Sequence, residues 1–233
     1  MKFSQRPIAS AIAARTSRLG LAAAATLAGV IAFTPGHARA ESNFVNGAGT
    51  ATARLNFSIV IPKFLYLQVG TGTFPTSVAT IDTILFDMTS AIASIGNATA
   101  QSATSGGDIS PGAVTARVVG NNFTAATNLS ATTTGAMGNG AGGTISWSEI
   151  SVATPTAITV APAAASILQH PGTTAAPFAD GASTTVSLTP VNRVINQAAN
   201  WTFSYKNTTV PASGTYGSGG GTNGQVTYTI AMP

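Results

Sequence analysis

Apolar and polar residues alternate with a period of two along several short stretches of the chain. The pattern is plainest near the end. Residues 200–205 (NWTFSY) place Trp201, Phe203 and Tyr205 on one face and Asn200, Thr202 and Ser204 on the other. In residues 225–232 (QVTYTIAM), Val226, Tyr228, Ile230 and Met232 alternate with polar or small residues. Alternation built from β-branched and aromatic side chains marks a half-buried strand. The two stretches, with Tyr216 between them, predict a C-terminal hairpin whose core is Trp201, Phe203, Tyr205, Tyr216, Val226, Tyr228 and Ile230.

The same period recurs upstream. Residues 51–61 (ATARLNFSIVI) put Ala53, Leu55, Phe57, Ile59 and Ile61 on one face, and Pro62 stops the run because it has no N–H to offer a ladder. Residues 64–69 (FLYLQV) read as a strand ended by Gly70, and residues 113–119 (AVTARVV) as one with Val114, Ala116 and Val118 inward. Further strands are expected around Leu129, over residues 144–152 (TISWSEISV) and over 183–188 (STTVSL), with a short one at 157–160. Residues 80–88 (TIDTILFDM) fit both helical and strand spacing, and their β-branched content favours strand. Asn121-Asn122 reads as a turn, and Gly135 to Gly143 as a hairpin loop in which glycine supplies positive φ. Residues 89–109 read as a long loop with a short element near 91–95, and 161–180 as irregular. About nine or ten strands at this spacing predict an all-β, Ig-like antiparallel β-sandwich. No repeat of fixed period points to a solenoid or propeller.

The first 40 residues have a different character. Lys2, Arg6, Arg15 and Arg18 precede an apolar run at 19–33 (LGLAAAATLAGVIAF), then Pro35, Gly36 and Ala38-Arg39-Ala40. This is the three-part pattern of a secretory signal peptide, with cleavage expected before Glu41. The run is shorter than the ~20 residues that span a bilayer. The expected organisation is a leader at 1–40 and one β-sandwich domain at 41–233, with 41–50 a mobile lead-in. Removing the leader reverses the charge. Arg54, Lys63, Arg117, Arg193 and Lys206 stand against Glu41, Asp82, Asp87, Asp108, Glu149 and Asp180. That balance leaves no basic patch for nucleic acid or an anionic surface. Cysteine is absent, so the fold rests on its core and sheet pairing.

Few groups are available for chemistry. His170 is the one histidine after the leader, placed before Pro171 in the irregular stretch, and it reads as an exposed loop residue. A Ser-His-Asp triad could use only His170, and no Gly-x-Ser-x-Gly elbow presents a nucleophile. A cysteine or multi-histidine zinc site is excluded by inventory. Asp82 and Asp87, five apart on a strand, point to opposite faces and cannot work as an acid/base pair. Asp108 and Asp180 adjoin Gly-rich turns, where Asp bonds local backbone. Trp147 and Trp201 could form a sugar-stacking platform, but their place on alternating strands favours the core. No cofactor is expected, and no catalysis.

The ending Gly214-Thr215-Tyr216, an insert, then Val226-Thr227-Tyr228-Thr229-Ile230 resembles the close of spore-coat-U-like and chaperone–usher fimbrial subunits. It is also similar to the closing hairpin and terminal proline of the WxL cell-wall domain. The chain lacks a cysteine pair, has Met232 as penultimate residue, and has Trp201-Thr202-Phe203 where WxL proteins carry Trp-x-Leu. The resemblance implies an exported, non-catalytic structural subunit of a bacterial cell-surface assembly. It implies passage through the periplasm to the cell surface or exterior, with no membrane span in the mature chain. The implied partners are other copies or related subunits, with a periplasmic chaperone and usher. It also implies an incomplete sandwich, completed by a strand from a neighbour. Ala53, Leu55, Phe57, Ile59 and Ile61 are the candidate donor residues. Alternatively they form the first strand of a self-complete sandwich, which the polar tail before them and the short link to residue 64 favour. A carbohydrate- or host-binding adhesin module is the alternative function.

Overall fold

A computed structural model describes residues 42–217 and 222–233. The expected leader lies outside the described residues. The chain divides into two compact units, Met1–Ile61 and Pro62–Pro233. Among the described residues, every strand belongs to the second.

That unit is all-β. Its strands are β1 (Leu65–Val69), β2 (Gln101–Ser102), β3 (Ala113–Asn121), β4 (Thr127–Thr132), β5 (Met137–Gly138), β6 (Thr144–Ile145), β7 (Ile150–Val152), β8 (Ser166–Ile167), β9 (Ser183–Leu188), β10 (Val194–Tyr205) and β11 (Thr227–Ile230). The larger sheet runs β1-β3-β10-β2, with β7 and β8 also on β10; the smaller runs β11-β4-β9; β5 and β6 form a separate hairpin. All pairings are antiparallel except the two-residue contact of β8 with β10.

β10 is the axis of the larger sheet. Residues 194–202 pair with β3, and Ser204 and Tyr205 continue on β2. Its other edge takes β8 at Gln197 and Ala198 and β7 at Phe203 to Tyr205. The core forms where the inward sets of both sheets meet. β3 supplies Val114, Ala116 and Val118, β10 supplies Ile195, Ala199, Trp201, Phe203 and Tyr205, β4 supplies Leu129 and Ala131, and β9 supplies Leu188. Leu65, Leu67, Val69, Tyr228 and Ile230 pack against this core from the two flanking strands. Each set has period two, because successive side chains on a strand point to opposite faces. The result is a β-sandwich-like arrangement.

The outer face of the smaller sheet is hydroxyl-rich and uncharged. Thr227 lies opposite Thr132 and Thr132 opposite Ser183; Thr229 lies opposite Ser130 and Ser130 opposite Thr185. Thr132 Oγ1 and Ser183 Oγ are 2.5 Å apart. Cross-strand pairs of this kind support a sheet without salt bridges.

Several expectations are corrected. Residues 51–61 carry no strand, and all are exposed. Residues 80–88 join no strand; Leu85 alone bridges Ser105, while Ile84, Phe86 and Met88 turn toward the core. The stretch 144–152 is broken by a 3-10 turn, Trp147–Glu149, capped by the Ser146 hydroxyl, so Trp147 and Glu149 are both buried. Residues 157–160 are not a strand, the nearby Thr156–Asn200 bridge being isolated. Most consequentially, the expected terminal hairpin does not exist. β10 pairs with β3 in the larger sheet and β11 with β4 in the smaller. Trp201 and Tyr228 therefore face each other across the core, ring centroids 5.5 Å apart. Tyr216 is half-buried outside the core, its hydroxyl donating to Ala212 O at 2.7 Å.

Candidate functional site

β1 is an edge strand of the larger sheet and β11 an edge strand of the smaller. Beside β1 runs a groove of about 460 Å3 lined by the apolar Leu65, Leu67 and Val69, by Tyr66 and Gln68, by a following loop that brings Pro75 and Val78 together with the hydroxyls of Thr71, Thr76, Ser77 and Thr80, and by Tyr228 of β11. An edge strand presents unpaired backbone N–H and C=O groups, and here apolar side chains lie beside them.

Local bonds hold this edge in place. The Asn121 side chain, at the end of β3, donates to Pro62 O at 2.8 Å and accepts from Phe64 N at 3.0 Å, fixing the chain as it enters β1. Gln68 is buried, and its Nε2 donates to Gly70 O and Gly72 O at 2.8 and 3.1 Å, while its Oε1 accepts from Tyr66. Gly70 ends the strand at φ +87, where a Cβ would fall 2.1 Å from the Asp82 carboxylate. Asp82 accepts from the amide and hydroxyl of Thr71 and so closes that turn. Burial raises the Tyr66 hydroxyl above its ordinary range, against the opposing effect of Arg117.

The floor of the groove connects to a buried histidine. His170 is 4% exposed. Its ring lies edge-on to Phe178, Trp201, Phe203 and Tyr228, at centroid distances of 4.6 to 5.8 Å. Nδ1 faces Pro171 O, which has no proton to give, so Nδ1 carries the hydrogen. Nε2 is then the acceptor, and the Tyr228 hydroxyl donates to it at 2.9 Å. Desolvation lowers the imidazole pKa to about 4, and the Pro171 carbonyl only partly offsets it. Burial likewise pushes the Tyr228 hydroxyl far up, so it remains a neutral donor. The expected exposed loop histidine is thus a core residue. Both its nitrogens are engaged, neither by a serine or a carboxylate.

The carboxylates among the described residues serve the backbone. Asp82 accepts from Thr71 N, Asp87 from Thr89 N, Asp108 from Thr115 N, Glu149 from Thr208 N and Asp180 from Trp147 N. These are turn and strand-start amides that no ladder satisfies, so each acid fills a defined structural need. The Thr89 bonds hold Asp87 below the ordinary carboxylate range. Arg117, buried on the outer face of β3, donates to Ala161 O and Pro162 O at 3.1 and 2.9 Å and lies 5.0 Å from the Phe74 ring centre. Among the described residues no group of three or more His, Cys, Asp or Glu could hold a metal ion. None of their helices is long and apolar enough to cross a membrane. Trp147 and Trp201 are buried, their indole N–H groups donating to Gly135 O and Leu168 O at 2.9 and 3.0 Å, so neither offers a face to a sugar.

The residues singled out in the first unit have the opposite environment. Phe57 is 86% and Ile59 85% exposed, and Ala53, Leu55 and Ile61 are exposed too. The first strand of a self-complete sandwich is therefore not what they form. In the second unit, Trp201, Phe203 and Tyr205 are buried, and Val226, Tyr228 and Ile230 are half-buried against the core. Comparison with family models, curated proteins and solved structures gives no match. Sequence reasoning missed the groove, because its walls come from strands 158 or more residues apart in the chain. It also missed His170, whose only local hints are the scattered apolar residues Ile167, Leu168 and Phe178.

Proposed function

We propose that this chain is an exported, non-catalytic structural subunit of a bacterial cell-surface, fimbria-like assembly. Residues 51–61 of one copy would add a strand in the β1–β11 groove of the next. The observation that carries this reading is a complementary pair within one sequence. Residues 51–61 alternate apolar and polar side chains, carry no strand and are exposed. The second unit has two edge strands, and a groove lined by both apolar and polar side chains runs beside β1 with Tyr228 of β11 in its wall. Strand addition satisfies the backbone of both partners, and alternate side chains fill the groove. Each large apolar side chain moved from water contributes roughly 1.5–3 kcal/mol. The predominance of backbone-serving carboxylates supports the non-catalytic part of the reading.

The experiment is assembly of the purified chain, followed by light scattering and electron microscopy. The intact chain should form linear polymers. Phe57→Asp with Ile59→Asp should remain monomeric, and a synthetic peptide of residues 51–61 should bind that monomer with about 1:1 stoichiometry. A wild-type chain that stays monomeric and a peptide that fails to bind would remove the reading. Glycan binding by the monomer, lost on changing an exposed aromatic such as Phe64, would favour the adhesin alternative.

A further inference from the structure

We propose that His170 and Tyr228 form an acid-sensitive latch that fixes β11, and with it one wall of the groove, to the core. β11 is an edge strand whose ladder runs to β4 alone. Its outward residues, Thr227 and Thr229, are exposed. Inward, Tyr228 makes ring contacts with Trp201 and His170 and one hydrogen bond, to His170 Nε2. The imidazole is held from the far side by Pro171 O. The bond therefore has one sense, from Tyr228 to the imidazole, and it spans the two sheets through β10 residues Trp201 and Phe203 packed on the same ring.

Adding a proton to Nε2 reverses that sense. Two donors then face each other, and the tyrosine O–H must turn away toward aromatic neighbours that contain no acceptor. The imidazolium also lacks a counter-charge. The titratable groups on the elements packed against it are Tyr205 on β10, Tyr228 on β11 and Asp180 beyond Phe178. Of these, Tyr228 touches the ring, while the Asp180 carboxylate is engaged by Trp147 N. A charge in such a box is relieved by opening. The part with fewest competing bonds is the edge strand, so β11 opens first.

The direction with pH follows. The folded-state pKa is lowered from 6.5 to about 4, so the folded imidazole stays neutral and the latch holds at neutral pH; the stability it lends is full above about 6.5 and is lost as the pH falls toward about 4. Because Tyr228 also lines the groove, an occupant of the groove and a proton on His170 oppose each other. That last consequence rests on the subunit reading above; the latch itself does not.

The test uses the purified full chain, with assembly blocked by Phe57→Asp and Ile59→Asp. NMR of the imidazole, assigned by its loss in His170→Gln, should show a neutral ring protonated on Nδ1 at pH 6. Amide protection factors, which remove the intrinsic pH dependence of exchange, should fall about a hundredfold in β11 between pH 7 and pH 4. Those of β3 should fall less. Tyr228→Phe, which keeps the ring and removes the donor, should show fast β11 exchange already at pH 7. An imidazole that titrates near 6.5, or β11 protection that changes no more than that of β3, would overturn the latch. Should His170→Gln fail to fold, the Tyr228→Phe measurement and the wild-type titration still decide the matter. Peptide binding measured separately at pH 7 tests the groove, so failure of the latch and failure of the subunit reading are distinguishable.

Discussion

At the scale of single residues, the dominant contribution comes from large side chains that satisfy their polar atoms inside the core. Trp201 has no exposed surface and donates its indole N–H to Leu168 O. Trp201→Ala leaves a cavity beside His170 and Tyr228 and removes the partner of a buried carbonyl. Truncations of this kind cost about 3–5 kcal/mol, which urea denaturation will read as a lower midpoint at unchanged slope. Asp180 acts through one bond, to the Trp147 amide at the start of the 3-10 turn. Asp180→Ala leaves that amide without its acceptor and should destabilise by about 1–3 kcal/mol. Asp180→Asn, which keeps an acceptor oxygen, should recover most of the loss in the same measurement.

At the scale of elements, the seam between β3 and β10 sets the tolerance of the larger sheet. Ala116 lies directly opposite Ala199, and both are fully buried. Small residues there leave room for the rings of Trp201 and Phe203, two and four positions along the same face. Ala116→Leu should overpack this seam and cost about 1–3 kcal/mol, again checked by denaturation, with β10 amides losing protection most. The edge strands behave differently. β1 and β11 each pair on one side only. Substitutions that remove a donor from a free edge, such as Leu67→Pro on β1, where Gly70 N turns toward β3 and Leu67 N therefore away from it, should suppress peptide binding.

At the scale of the whole molecule, stability without disulfides makes the chain sensitive to the charge state of its few buried titratable groups. Of these, His170 titrates on the acid side of neutrality. Its pKa, lowered to about 4 from 6.5, contributes up to about 3 kcal/mol of stability at neutral pH that fades as the pH drops. Asp87, held below its ordinary range, adds to acid sensitivity in the same direction at still lower pH. Chemical denaturation from pH 7.5 to pH 4 should therefore show a steady fall in stability, and His170→Gln should flatten it. Reducing agents should have no effect on any of these midpoints, because the chain has 0 cysteines.

For β3, β10 and β11, the strand and the face it buries were legible in the order of residues. Val114, Ala116 and Val118, Trp201 and Phe203, and Tyr228 and Ile230 all turn inward as their alternation requires, because the pleat fixes the direction of every second side chain. Alternation is silent about partners. Hydrogen-bonded neighbours in a sheet are chosen by packing over the whole chain, so two amphipathic strands that follow each other closely went to opposite sheets, and residues 51–61, with the same pattern, have no strand at all. His170 was invisible for a related reason. Burial in an irregular segment has no period to read, and it arises only when β10, β11 and the segment from Leu168 to Phe178 converge. The sequence by itself determined the strand class, the inward faces and the scarcity of charge, all of which are local. Tertiary structure decided the pairings, the open edge and the buried imidazole, because each depends on contacts between residues far apart in the chain.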